Sequence, residues 1–484
     1  MAILDRYAAG WAATHAETCE ATRLRGEQTE AILSLRMICL DRCLHQMDVL
    51  ADLFRSADAK LVQSSVDAAL GLPPLSSCDA SALSVSAQLP ADPKVRAQID
   101  AIGQQVDEVR ALHSAGRFKA ALDLAEKSAR AAAQLDYWPA RAEAFAAKGL
   151  LLQSSGDPKE AERLLQKAVL AADIADANAE KVRALTRLMY VDGCGLGKFG
   201  DAHFYAEVAR PVLDTLGYEE LEFEFRLQLA ALLGCQGRSE EALDAYRRAL
   251  ELVDRTMGAS SPQKGMLLSN MADRYTALGR FQEALPLLRQ ALPILSAAKG
   301  AGHPDVAYVH YNMAEVQRGL GDGAGAYQSI QEAIRLRIAG LGPDHPLVAD
   351  ALDGLAIALL SDGRYAEAQV ESKRSLAIRE KVLGPDHPDV TYSLENLGAA
   401  LIGVRKPEKA IPVLERAIAI RSKGNTEAGD LAEPHFSLAR ALWDSGHAHD
   451  RPRARALAAK ARDGYLRSGQ EKEAEKVSRW IASH

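Results

Sequence analysis

Aromatic side chains are scarce, at 5% of the 484 residues, so a core built on large rings is not expected. No apolar run reaches the roughly 18–20 residues that a membrane-spanning helix needs, so no membrane span is expected either. Basic residues gather into no stripe. The 58 Lys and Arg stand against 65 Asp and Glu, for a net charge of −7, which argues against a nucleic-acid phosphate backbone as the main partner. The first residues, Met1 to Arg6, turn polar almost at once, and Cys19 lacks an apolar stretch before it, so neither a secretory leader nor a lipid anchor is expected. Cysteines number six, at positions 19, 39, 43, 78, 194 and 235. Cys39 and Cys43 stand one helical turn apart, a spacing that could offer two metal ligands, but no second His or Cys pair lies near them in the sequence. Buried free thiols in a reducing cytoplasm are the expectation, with no metal and no cofactor.

What is present is alanine, and a hydrophobic fraction of 48% large enough to fold. Small apolar residues with few β-branched runs favour close-packed helices over sheet. The length exceeds what one compact core usually holds, which leaves several domains or a core spread along repeats.

Self-similarity decides between these. Pro262, Pro304, Pro346 and Pro388 follow one another at intervals of 42 residues, and His303, His345 and His387 precede the last three in step. A second marker runs in phase: Gly237 to Ala242 recurs as Gly279 to Ala284, Gly321 to Ala326 and Gly363 to Ala368. A further copy, Arg405 to Ala410, has lost its glycine. Upstream copies begin at Gly116, Gly156 and Gly197, so the marker alanines fall at 121, 161, 202, 242, 284, 326, 368 and 410. Each copy reads as two antiparallel helices. A glycine able to take positive φ ends the first, and a Gly-Pro-Asp-His-Pro linker ends the second, because proline cannot continue a helix. The linker histidines read as caps rather than ligands. Stacked helices sit roughly 9–10 Å apart, too far for neighbouring histidines to share an ion.

These residues resemble the tetratricopeptide repeat, with small residues twelve before and alanines seven after the marker alanine. The 42-residue length with Gly-Pro-Asp-His-Pro is similar to the subtype of kinesin light chains and many bacterial proteins. The resemblance covers roughly residues 100–445; Val109 and Tyr190 depart from the small residue expected at the eighth position. It implies an all-α fold, a right-handed superhelical solenoid of helix pairs. The expected organisation is an N-terminal helical segment and linker over 1–95, irregular repeats over 96–222, regular repeats over 223–430 and capping helices over 431–484. In the first segment Leu33, Met37, Leu40, Leu44, Met47 and Phe54 form a heptad seam. That seam fits an intramolecular hairpin with the segment around Tyr7 and Trp11, and it leaves a coiled-coil homodimer open.

The segment from Cys19 to Gln28, with Leu35-Arg-Met and Cys39-Leu-Asp-Arg after it, resembles part of large bacterial serine/threonine protein kinases of the kind rich in myxobacteria. The residues from Ala439 to Trp480 are similar to the C-terminal ends of those proteins. The whole chain thus resembles the non-catalytic half of such a kinase, and a regulatory or sensor role in kinase signalling is the alternative function. The Gly-rich loop, catalytic His-Arg-Asp and metal-binding Asp-Phe-Gly of phosphoryl transfer do not occur. Gly193 to Phe199 fails as a phosphate loop on spacing and lacks Ser or Thr after Lys198. No catalytic residues are expected, and the chain is not expected to be an enzyme.

A stacked array offers a surface instead, lined by the first helix of each repeat. The resemblance implies that a protein or peptide is held there by Gln228, Asn270, Asp273, Tyr308, Tyr311, Asn312, Glu315, Arg318, Asp353, Tyr392, Glu395 and Asn396. Asn270, Asn312 and Asn396 share one repeat position, and an amide can both donate to and accept from a peptide backbone. Asp350 and Gly354 interrupt that pattern. The acids Asp273, Glu315, Asp350, Asp353 and Glu395 against Arg318 favour a basic or mixed ligand.

Overall fold

The marker positions become helix ends. The computed structural model describes residues 2–57, 59–79, 90–155, 157–423 and 431–484. Gly156 and much of the linker expected over 72–95 lie outside the described residues. All regular elements among the described residues are helical. Eight helix pairs follow the eight marker alanines, from Pro93–Ser114 with Phe118–Gln134 through to Val390–Gly403 with Pro407–Arg421. In each, the first helix is called A and the second B. The chain forms two compact units, Met1–Leu278 with Ala297–Gly300, and Gly279–Ser296 with Ala301–His484.

The turn between A and B needs a residue in the left-handed region. Gly237, Gly279, Gly321 and Gly363 supply φ of 72°, 70°, 80° and 72°. In the eighth pair Arg405 holds that conformation at φ 58° without being glycine. A side chain there costs about 1–2 kcal/mol. Arg405→Gly should therefore raise stability by about 1 kcal/mol, read as an upward shift of the urea midpoint at unchanged slope. A and B pack through the small residues. At Gly398 a Cβ would fall 2.5 Å from Leu414 Cδ2, so the eighth pair has no room for alanine without moving that leucine. The linker histidines are caps: Nδ1 of His303, His345 and His387 accepts from the backbone N–H of Asp305, Leu347 and Asp389 at 3.1, 3.1 and 3.2 Å.

The third pair is where the eighth position is Tyr190, and its helix A widens into a π turn over Val191–Gly195. Asp192, in this turn, is fully buried, and neither carboxylate oxygen has a hydrogen-bond partner. Burial pushes its carboxyl up to about 6, with Glu162 adding to the effect.

Four of the six cysteines are paired, Cys39 with Cys78 and Cys194 with Cys235, and this corrects the expectation of free thiols throughout. The partners lie 39 and 41 residues apart in sequence, so only the folded packing brings them together. Cys19 and Cys43 remain free.

The N-terminal helices Ala2–Arg23, Glu30–Arg55 and Ala59–Leu70 fold on one another. Trp11 Nε1 donates to the Leu40 carbonyl at 2.7 Å and the Tyr7 hydroxyl to that of Pro73 at 2.8 Å, so the intramolecular hairpin is the arrangement formed. The buried stripe of Glu30–Arg55 is Leu33, Arg36, Leu40, Cys43, Gln46 and Leu50, not the apolar seam drawn through Met37, Leu44, Met47 and Phe54. Arg36 and Gln46 tolerate burial because they are bonded: Arg36 to the Cys78 carbonyl at 3.0 Å and Gln46 to Asp107 at 2.9 Å. Arg42 on the same helix reaches the A helices of the first two pairs. It donates to both oxygens of Asp107 at 2.9 Å and to those of Glu143 at 3.1 and 2.7 Å. Burial would raise the Glu143 carboxyl, but Arg42 outweighs it and holds it at about 2. The helix Glu30–Arg55 is thus tied through Arg42 to the A helices of those two pairs.

Candidate functional site

The twelve groove residues divide between the units. Gln228, Asn270 and Asp273 belong to the first, on Glu219–Cys235 and Pro262–Ala277, all half-buried. Asp273 pairs with its neighbour Arg274. The other nine belong to the second unit, on the A helices Pro304–Gly319, Pro346–Ser361 and Val390–Gly403.

In the second unit these nine have different fates. Tyr308 and Tyr392, at the same repeat position, keep 39% and 52% of their surface exposed. Arg318 is exposed, and Glu315 is half-buried. Tyr311 is half-buried, with burial pushing its hydroxyl up to about 12. Asn312 is only 5% exposed, so it forms part of the wall rather than its surface. Asp353 is buried too, and it ties three helices together. Its Oδ2 accepts from Arg379 and from the Ser393 hydroxyl, both at 3.0 Å, and its Oδ1 from Asn396 Nδ2 at 3.4 Å. Burial still raises its carboxyl, against the opposing pull of Arg379 and the serines.

The residues that organise this face and were missed from sequence are three arginines. Arg337, Arg379 and Arg421 come from helix B and stand 42 residues apart. The guanidinium of Arg337 lies 4.7 Å from the Tyr311 ring centre, and its Nη1 donates to the Leu347 carbonyl at 2.5 Å. That of Arg379 donates to Asp350 at 2.7 Å as well as to Asp353. That of Arg421 donates to Glu395 at 2.6 Å. Arg379 and Arg421 both lie over the Tyr392 ring, at 5.8 and 5.1 Å. The period that reveals the repeat would have revealed them, had it been followed along helix B as well as helix A.

They also change the charge of this face. Asp350, Asp353 and Glu395 are neutralised from within, so the middle of this face is not a free acidic strip. Acidity survives at its C-terminal end. There a cavity of about 510 Å³ is lined by Tyr392, Glu395, Arg421, Glu433, Tyr465, Gln470 and Glu473. The Tyr465 hydroxyl donates to Glu433, and three carboxylates face one guanidinium.

Residues 223–297, 305–371 and 355–423 match the tetratricopeptide repeat family. These are tetratricopeptide repeats. The chain is similar to a kinesin light chain of Podosopora anserina with nearly identical tetratricopeptide-like repeats. The identity is 25% and the TM-score 0.37, over 43% of this chain and 98% of that one. It is also similar to BtubC from P. vanneervenii, at 23% identity and a TM-score of 0.38, over 54% of this chain and 91% of the other. A third likeness is to a Rap protein complexed with competence and sporulation factor, at 15% identity and a TM-score of 0.47, over 71% and 96%. No curated protein matches the chain, so the likeness to kinase C-terminal halves stays a resemblance. The exposed tyrosines and the arginines lie inside the matched residues, whereas Glu433, Tyr465, Gln470 and Glu473 of the cavity lie beyond them. No helix among the described residues is long and apolar enough to cross a membrane.

Proposed function

We propose that the chain is a non-enzymatic scaffold that holds a segment of another protein against the A-helix face of its tetratricopeptide repeats. The observation that carries this reading is Tyr392: half-exposed, with the guanidiniums of Arg379 and Arg421 over its ring, and lining the acidic cavity. An exposed ring held rigid by its neighbours offers contact area at low entropic cost. The bound segment carries a Lys or Arg side chain, because Glu395, Glu433 and Glu473 outnumber Arg421 around the cavity. Tyr308 supplies a second exposed ring on the same unit, for an apolar or aromatic side chain of the ligand. Asn312 and Asp353 act by shaping the wall rather than by touching the ligand.

A dimer through the N-terminal helices is not part of this proposal, because the buried stripe of Glu30–Arg55 is spent within the chain. A cytoplasmic location remains part of it. That location requires both cystines to be held as thiols, which alkylation of the native protein followed by mass spectrometry reads directly.

The test is selection of binders from a random peptide library displayed against the full chain. Enriched peptides should carry a basic residue and should lose at least about 10-fold in affinity on Tyr392→Ala, a contact worth about 1.4 kcal/mol or more. Peptides that bind Tyr308→Ala/Tyr392→Ala as tightly as the parent would remove the site from this face.

A further inference from the structure

Cys43 is a buried thiol that the fold places beside a cystine. Its sulfur lies 3.8 Å from that of Cys78, and the sulfurs of Cys39, Cys43 and Cys78 are all within 4.8 Å of one another. Leu40, Leu75, Tyr7 and Trp11 pack around them, so the site is dry except on the half-exposed side of Cys39. Two functions fit three sulfurs this close. One is exchange, in which Cys43 attacks Cys78 and releases Cys39. Exchange needs the three sulfurs in line, which would set Cys39 and Cys43 about 5.8 Å apart for an S–S bond of about 2.0 Å. The observed triangle is too compact for that.

The other is coordination. Zinc–thiolate bonds of about 2.3 Å in tetrahedral geometry put sulfurs about 3.8 Å apart, which is the separation of Cys43 and Cys78; the Cys39 sulfur, bonded to Cys78 in this structure, has to move out to the same spacing once that bond is reduced. We infer that Cys39, Cys43 and Cys78 form a three-thiolate site for a zinc-class soft cation, available when the Cys39–Cys78 bond is reduced. The sequence shows two of the three ligands: Cys39 and Cys43 stand one helical turn apart, while Cys78 arrives on the short 3-10 turn Leu75–Cys78. A thiol or phosphine reductant delivers two electrons and two protons to the cystine, giving three thiols. The dication then displaces three thiol protons to solvent, which leaves the site with a net charge of −1. The buried Arg36 guanidinium, bonded to the Cys78 carbonyl, supplies nearby positive charge. The open side at Cys39 gives the entry path and room for a water as fourth ligand.

The experiment uses the full chain, fully reduced with a phosphine, and Co²⁺ as the probe. Thiolate-to-cobalt charge-transfer bands should saturate at one equivalent and be displaced by Zn²⁺. They should be absent from the oxidised chain and lost in Cys43→Ser, while Cys194→Ser/Cys235→Ser leaves them intact. Circular dichroism and an oxidised Cys39–Cys78 peptide in the mass spectrum establish that Cys43→Ser has folded. If it has not, zinc release from the parent on oxidation, one equivalent per chain, carries the same information. No bands with all three thiols free, bands that survive in folded Cys43→Ser, or no zinc release on oxidation overturns the site.

Discussion

Arg379→Ala should destabilise the second unit by about 3–5 kcal/mol, the usual cost of stranding one partner of a buried ion pair. Arg379 is 4% exposed and its guanidinium is the cation for both Asp350 and Asp353. Removing it leaves the Asp353 carboxylate buried with neutral donors, the Ser375 and Ser393 hydroxyls and the Asn396 amide, and no cation. Asp353→Asn should cost less than half as much. Burial already raises this carboxyl, so losing its charge relieves a penalty, and Arg379 keeps Asp350. The order of the two variants is the informative quantity, because a face held mainly by apolar packing would make them alike. Amide hydrogen exchange over Pro346–Ser361 and Tyr365–Leu383 measures both in place, without assuming that the whole chain unfolds in one step.

Asp192→Asn should act in the opposite direction above pH 6. A carboxyl raised to about 6 in the folded state, from 3.8 unfolded, binds more protons folded than unfolded between those values. The Asp192 contribution to stability is therefore largest below about pH 4, falls as pH rises through 4 to 6, and is absent above that. The loss is at most about 3 kcal/mol at 1.36 kcal/mol per unit. The asparagine removes this slope. Its own unpaired amide offsets part of the gain, by about 1–2 kcal/mol. Urea unfolding at pH 4.5, 6 and 7.5 should show the variant gaining on the parent as the pH rises, because the other shifted carboxyls cancel in the difference. Parallel profiles would mean that Asp192 is solvated or partnered in solution.

Where the chain repeats itself, the sequence was legible. The glycines of the A–B turns and the capping histidines are local chemistry, decided by residues a few positions apart. Arg405 shows how strong that frame is: the turn keeps its left-handed residue after losing the glycine. Legibility stopped where side chains from different copies meet. Asn312 and Asp353 carry the polar character expected of a binding surface, but their neighbours bury them. The burial of Asp353 depends on Arg379 and Ser393, which lie on other helices. The cystine partners and Gln46 were unreadable for the same reason, since each is matched across more than 35 residues of chain. Burial of Arg36 in place of Met37 reflects bonds to Cys78 and Gln28, which no heptad pattern records.

Hydrogen exchange with and without a saturating selected peptide tests whether a ligand lies along the A helices of the second unit. Protection should appear in Pro304–Gly319, Pro346–Ser361 and Val390–Gly403, and around Glu433 to Glu473 where the cavity closes. The B helices Gly323–Leu341 and Tyr365–Leu383 should change only near Arg337 and Arg379. Protection confined to the B helices, or to the first unit alone, would contradict the groove.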